Sequence, residues 1–305
     1  MLDYHVHLWP HAEQADEADL AVERLAGYCE LARARGADEI ALTEHFFRFR
    51  RGREVVDGFW AAESHAALRD YIAGYFDHHA TADLDLYVDT IERAKAAGLP
   101  VVAGLEVDYY PGMMDKVAAL LDGYPFDVLL GSVHWLGTWM FDVIGSELQA
   151  EQWDVRGVDA AWRAYAEALE ELAATGATDV LAHPDLVKVA GRFADAGVVA
   201  EVEERIAEAA ARAGMSAEIS SAGLGKPVHE LYPSPTLLGR FAAHGVTVTT
   251  ASDTHGVANV AAGAPLLHEA ASRAGYTSLR AFRKRAGRDV PLGPPPPAET
   301  RSEAP

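Results

Sequence analysis

The 305 residues are 50% hydrophobic, enough to bury a full core, and the length allows one large domain or two smaller ones. Twenty-six basic residues stand against 46 acidic ones, a net charge of -20, which counts against a broad nucleic-acid or membrane-surface partner because both need a basic face. A small anionic substrate stays open, since bound divalent cations reverse the sign locally.

No apolar run is long enough for a membrane span, and the chain enters a strand at once without a secretory signal. The single cysteine, Cys29, excludes an internal disulfide and fits a reducing cytoplasm. The first strand runs from Leu2 into Leu8. Alternate side chains share a face, so Asp3, His5 and His7 point one way and Leu2, Tyr4, Val6 and Leu8 the other. Two imidazoles on one strand face are half of a metal site, or two buried, hydrogen-bonded histidines.

An amphipathic helix follows from Leu20 to Ala34 and stops at Gly36. Residues 39–45 form a second strand ending on Glu44 and His45. Residues 46–64, aromatic and arginine-rich, read as a loop excursion. A helix over 83–97 ends at Gly98, and a third strand, Val101–Asp108, carries Glu106. A helix at 113–121 leads to a fourth strand over 126–134, ending on His134, and a loop with Trp135, Trp139 and Phe141. A helix over 158–174 precedes a fifth strand, 179–183, which closes on His183 before Pro184. Helices at 197–213 and 234–243 flank a sixth strand, 216–220. A seventh, 246–250, runs into Ser252-Asp253-Thr254-His255, and one or two further helices complete the barrel region. From Pro291 to Pro305 the chain is polar and proline-rich and reads as a disordered tail, leaving 1–290 as one domain.

Seven strand–helix units without a break imply a parallel α/β barrel, closed or nearly so, whose working residues sit at the C-terminal strand ends. Six of the thirteen histidines fall at such ends: His5, His7, His45, His134, His183 and His255. Glu106 and Asp253 join them. Eight or nine donors exceed what one zinc needs and suit two or three ions, with Glu106 bridging. The imidazole-rich set favours Zn, Fe or Mn over Ca or Mg.

The segments Asp3-Tyr4-His5-Val6-His7, Thr43-Glu44-His45, Gly104-Leu105-Glu106-Val107-Asp108, Gly131-Ser132-Val133-His134-Trp135, His183-Pro184-Asp185 and Ser252-Asp253-Thr254-His255 come in one order along nearly the whole chain. In that order they resemble the PHP (polymerase and histidinol phosphatase) family of metal-dependent phosphoesterases. Phe141-Asp142, Glu218 to Leu224, Lys226-Pro227 and Glu230 to Pro235 are most similar to its histidinol-phosphatase branch.

The resemblance implies a distorted (β/α)7 barrel with a three-metal cluster. One ion would be held by His5, His7, Glu106 and Asp253, a second by Glu106, His134 and His183, and a third by His11, His45 and His255. The Leu8-Trp9-Pro10 turn before His11 is shorter than the family's and lacks its cysteine, so an exposed loop histidine is the alternative there. Coordination lowers the pKa of water toward about 7, so metal-bound hydroxide would attack phosphorus and the ester alcohol would leave. Asp253 and His255 are the catalytic candidates.

Lys226 and Lys188 are placed to grip phosphate or to be ordinary surface charges; Gly225 stands where the family often has arginine. The Arg48, Arg50, Arg51 and Arg53 group either reaches an anion or forms a solvated loop face. Asp3 reads as a support for the site, Glu218 as a partner behind a ligand histidine or a core polar group, and Glu44 as such a partner or a plain strand-end acid. His65, His78, His79, His244 and His268 read as surface or structural. The implied function is hydrolysis of a small-molecule phosphate monoester, most closely histidinol phosphate. The alternatives are a phosphodiesterase or nuclease and a non-catalytic metal-binding regulatory domain. No nucleic-acid or membrane partner is expected, and the sequence sets no oligomeric state.

Overall fold

The computed structural model describes residues 1–297; the part of the expected tail from 298 to 305 lies outside the described residues. In chain order the elements are β1 (Leu2–Val6), α1 (Val22–Ala34), β2 (Glu39–Leu42), α2 (Arg50–Val56), α3 (Ala66–His79), α4 (Leu84–Ala96), β3 (Val101–Asp108) and α5 (Met114–Leu121). Then come β4 (Val128–Ser132), β5 (Trp135–Leu136), β6 (Trp139–Met140), α6 (Glu147–Arg156), α7 (Val158–Thr175), β7 (Val180–Leu181) and α8 (Ala196–Ala213). The last are β8 (Ser216–Ser220), α9 (Pro235–Ala243), β9 (Val248–Ala251), α10 (Ala264–Arg273), β10 (Ser278–Arg283) and β11 (Ala286–Pro291).

Local chemistry sets many of these boundaries. Asp83 caps α4 by accepting from the backbone N–H groups of Asp85 and Leu86. Ser234 caps α9, with Pro235 in its first turn. Helices α7 and α8 end on left-handed Gly176 and Gly214.

Seven parallel strands form one sheet in the order β1-β2-β3-β4-β7-β8-β9. The outer strands meet to make a nearly closed barrel. His7 N–H donates to Thr254 O at 2.8 Å, and Thr250 Oγ1 donates to Leu2 O at 2.6 Å. The buried Asp3 carboxylate adds three acceptor contacts, from Ser252 N, Ser252 Oγ and Ala261 N. Gly104 lets β3 pack tightly, because a Cβ there would sit 2.9 Å from both Thr43 Cγ2 and Val128 O.

The N-terminal strand ends are covered by the antiparallel β10–β11 hairpin. Phe282 packs on Tyr4, whose hydroxyl bonds Glu39. Lys284 N–H donates to Asp127 Oδ1, and the Arg285 guanidinium pairs with Asp179. An apolar cluster including Tyr4, Val102, Val128, Leu130 and Phe282 fills this end. Val102 and Glu106 lie on the same face of β3, so the apolar plug sits below the polar strand tips.

Three expectations change. The stretch 46–64 is a 3-10 turn at Phe46–Arg48 followed by α2 and further turns, not a loop excursion. Its aromatic residues Phe46, Phe47, Phe49 and Trp60 are buried from several directions and so show no helical stripe. Arg48 is fully buried and donates to Glu13 O and Pro10 O, while Arg50, Arg51 and Arg53 pair with Asp83, Asp85 and Asp77, so the arginine group is structural.

The strict alternation of β1 is also broken. Its register with β2 shifts between Asp3 and Val6, and Tyr4 joins the apolar plug while Val6 and Leu8 pack with the helices. Of the one or two further helices expected, α10 forms, and the β10–β11 hairpin follows it. The expected tail begins with Pro291 paired to Ser278 and Leu292 buried.

Candidate metal centre

The strand order brings the C-terminal tips of β1, β2, β3, β4, β7 and β9 together, and Glu106 stands at the middle. Five imidazoles surround its fully buried carboxylate. Oε1 lies 2.9 Å from His183 Nε2 and 3.5 Å from His134 Nε2. Oε2 lies 2.7 Å from His45 Nδ1, 3.3 Å from His5 Nε2 and 3.5 Å from His7 Nε2. The two oxygens therefore face two different groups of nitrogens.

Asp253 Oδ1 approaches the β1 histidines from the other side, 3.4 Å from His7 Nε2 and 3.7 Å from His5 Nε2. His45 Nε2 and His255 Nε2 are 3.3 Å apart. His11, on the exposed turn after β1, stacks on His255 with ring centroids 3.5 Å apart.

A surrounding set of acids aims these rings. Glu218 Oε2 is 3.0 Å from His5 Nδ1, and its Oε1 accepts from His183 N–H at 2.6 Å. Asp108 Oδ1 is 2.6 Å from His134 Nδ1. Glu44 accepts from the backbone of Leu8 and Trp9, and its other oxygen lies 3.5 Å from His7 Nδ1. A carboxylate on one ring nitrogen fixes the tautomer and turns the other nitrogen's lone pair inward.

Asp108 was given no role by sequence reasoning, although its signal was present: it follows Glu106 by two on one strand and so shares its face. His183 (φ 25°) and Asp253 (φ 52°) both adopt left-handed backbone just past their strands. Such strain costs roughly 1–3 kcal/mol per residue and persists where surrounding contacts impose it.

The charges are strongly coupled. Burial would push the Glu106 carboxyl up, but His45, His5 and His134 outweigh it and hold it well below its ordinary value. Asp253 is held well below its ordinary value in the same way, chiefly by His5 and His7. Burial would push His134 down, yet Asp108 and Glu106 lift it to about 10. His5 is raised well above the usual histidine range against burial by Glu218, Glu106 and Asp253. Burial and neighbouring imidazoles push His45 and His255 well down.

These residues fit divalent metal ions. His5 Nε2, both ring nitrogens of His7, His45 Nδ1 and Glu106 Oε2 are buried and form no hydrogen bond. Buried polar atoms left so are costly, and a cation satisfies all of them at once. Ligand atoms converge within 4.8 Å in the sets His5–His7–Glu106, His45–Glu106–His134, His7–His45–His255 and His5–His183–Glu218.

The two lysines differ. Lys226 is near enough to His11 for its charge to act on that ring, and among the described residues its ammonium forms no ion pair or hydrogen bond. Lys188 is buried, and its three N–H donors all have acceptors: Asp185 Oδ2, Glu230 Oε2 and Leu231 O. The structure thus places Lys188 as an internal tie. A 430 Å³ cavity lined by Thr178, Asp179, Thr247 and Arg285 lies at the opposite strand ends and contains none of the sequence-predicted donors.

A family model described as PHP domain matches residues 4–222. The chain is 33% identical over 168 residues to a protein of Deinococcus radiodurans named "Probable histidinol-phosphatase". That alignment takes in 55% of this chain and 62% of the relative, so the chain spans a little under two thirds of the relative's length. Among solved structures it is similar to histidinol phosphate phosphatase from Lactococcus lactis, crystallised with zinc, L-histidinol and phosphate. The TM-score is 0.67 at 20% identity, over 94% of this chain and 98% of that one. A structure from Listeria monocytogenes matches with TM-score 0.63 at 19% identity, over 86% of this chain and 98% of its own. At these identities the structural likeness is one of fold.

Proposed function

The chain belongs to the PHP family, and from that premise we propose that it is a metal-dependent phosphatase of small phosphate monoesters, with histidinol phosphate as substrate. The observation that carries the reading is Glu106, fully buried, with imidazoles on both carboxylate oxygens at the mouth of the barrel. His5, His7, Glu106 and Asp253 would hold one ion, and Glu106, His134 and His183 a second. His45 and His255, with His11, would hold a third; zinc, iron or manganese suits these donors.

Divalent ions bound there supply a hydroxide nucleophile near neutral pH and neutralise charge on the phosphoryl oxygens. The side chains do the rest. Asp253 Oδ1, beside the β1 imidazoles, would orient the attacking hydroxide. His255 lies next to it, with Nδ1 3.2 Å from Asp253 O. Lys226 offers the mouth an unpaired ammonium for the phosphate. The low cysteine count suits a reducing cytoplasm as the place of work.

The test is a panel of phosphate monoesters, including L-histidinol phosphate, run on protein of measured metal content. His134→Ala should abolish turnover while circular dichroism shows the fold retained. Full activity in that variant would refute the assigned role.

A further inference from the structure

The cavity at the N-terminal strand ends belongs to no part of the metal centre. Its 430 Å³ lie between the starts of β7, β8 and β9 and the β10–β11 hairpin. That is the size of a small-molecule site. Helices α7, α8 and α9 all finish against it, and Gly176, Gly214 and Gly245, left-handed glycines at or just past their last turns, line it. The last carbonyls of a helix have no partner within it, and its summed dipole leaves about half a negative charge there. One wall is therefore negative without a free carboxylate. Asp179, the one acid among the described lining residues, is taken up by the Arg285 guanidinium and by Leu129 N–H.

The hairpin wall is positive. Arg280 Nη1 donates to the exposed Asp289 at 2.8 Å, and among the described residues its Nε and Nη2 have no acceptor. The guanidinium lies against the backbone of Gly287, the partner of Phe282 in the hairpin. A Cβ at Gly287 would collide with Arg280 Nε and sit 2.8 Å from its Cζ and Nη2, so only glycine leaves the guanidinium this place. Arg285 adds a second guanidinium, tied to Asp179 and Ala177 O through Nε and Nη2. Ser216 Oγ and Thr247 Oγ1, also in the lining, are 2.7 Å apart. One hydroxyl hydrogen serves that bond and the other is left to give.

These charges select a ligand. A bare anion at Arg280 would meet three helix C-termini, and a bare cation at the helix ends would meet two guanidiniums. A small molecule carrying both charges suits both walls. A carboxylate also takes two parallel bonds from a guanidinium with free Nε and Nη2. We propose that this cavity binds a free α-amino acid, with its carboxylate on Arg280 and the Ser216–Thr247 hydroxyls and its ammonium on the carbonyls that end the helices. The site lies at the far end of the strands from the metal centre and owes nothing to the phosphatase reading.

The test begins with thermal shifts of the metal-loaded full chain against the common L-amino acids at millimolar concentration. Calorimetry then compares the best of them with acetate, which keeps only the carboxylate, and methylamine, which keeps only the ammonium. The amino acid should bind at least about tenfold more tightly than either fragment. Arg280→Gln removes a half-exposed ion pair, so the fold and the metal content should stay, while amino-acid binding should weaken roughly 10- to 100-fold. Gly287→Ala keeps Arg280 but pushes its guanidinium aside, and should weaken binding in the same direction. The proposal is overturned if no amino acid shifts the midpoint or if acetate binds as well. Undiminished binding to Arg280→Gln also overturns it, since the amino acid would then sit elsewhere, the metal centre included.

Discussion

Asp108→Asn should weaken divalent-metal binding about tenfold while leaving the fold intact. Asp108 is fully buried, with Oδ1 2.6 Å from His134 Nδ1. The carboxylate holds the proton on Nδ1 and presents the Nε2 lone pair toward Glu106 Oε1, 3.5 Å away. Asparagine fills the same space without the charge. A charge-assisted hydrogen bond of about 1.5–3 kcal/mol then becomes a neutral one of about 0.5–1.5 kcal/mol. The difference, about 1.4 kcal/mol, is about one decade in affinity. Zinc competition against a chromophoric chelator measures it, in the wild-type background and with His134→Ala. The Asn substitution should cost a decade in the first background and nothing in the second. Equal losses in both would refute the claim that Asp108 acts through His134. Metal-free protein offers a second check. Burial lowers His134, but Asp108 and Glu106 outweigh it and raise the group to about 10. The NMR titration of that ring should move to lower pH in Asp108→Asn.

Metal removal should lower thermal stability. Free metal at 100 times its dissociation constant stabilises the folded state by about 2.7 kcal/mol, or roughly 5 °C in a chain of this size, and a chelator should reverse the shift. An unchanged midpoint would mean that the folded state does not bind the ion. Affinity should also climb with pH, because raised His5 and His134 hold protons that an entering cation must displace. Buried His79 gives a second, purely structural pH effect in the same direction. Burial and the nearby Arg48 charge push it down from 6.5 to about 4. Above 6.5 the ring is neutral folded or unfolded, and stability is unaffected. Between 6.5 and 4 only the unfolded chain takes the proton, so stability falls with falling pH, by about 3 kcal/mol at pH 4. Urea midpoints at pH 7 and pH 4.5 should differ less in His79→Gln than in wild type; an equal difference would remove His79 from the account.

The barrel was legible because its strands are short apolar runs closed by glycine-terminated helices, and because six of the seven strand tips carry a ligand-type residue. Glu106 on Val101–Asp108 and Glu218 on Ser216–Ser220 needed only strand parity to be placed. The stretch 46–79 was not legible for a physical reason. Arg48 carries a charge, which reads as surface, yet its guanidinium is buried because backbone carbonyls from the turn after β1 receive it. Its neighbouring aromatics pack in several directions, so no period appears. Lys188 misleads in the same way, since its acceptors Glu230 and Leu231 lie more than forty residues away. Polar residues bonded to distant backbone leave no local signal, whereas ligands at strand ends do.

The site's charge has a consequence for the order of binding. Glu106, Asp108, Glu218 and Glu44 are buried around the strand tips, in a chain of net charge -20. Among the described residues the Lys226 ammonium forms no ion pair, and Lys188 is tied inside. A phosphate dianion approaching the metal-free cluster therefore meets carboxylates that raised His5 and His134 only partly offset. Divalent cations reverse that field and at the same time satisfy the orphaned nitrogens of His5, His7 and His45. Cation binding and anion recognition are then two faces of one event. The unsatisfied donors that cost the empty fold stability are the groups that make the centre attract metal. Closure of the barrel through Asp3 and the hairpin plug over Tyr4 holds them together against that cost.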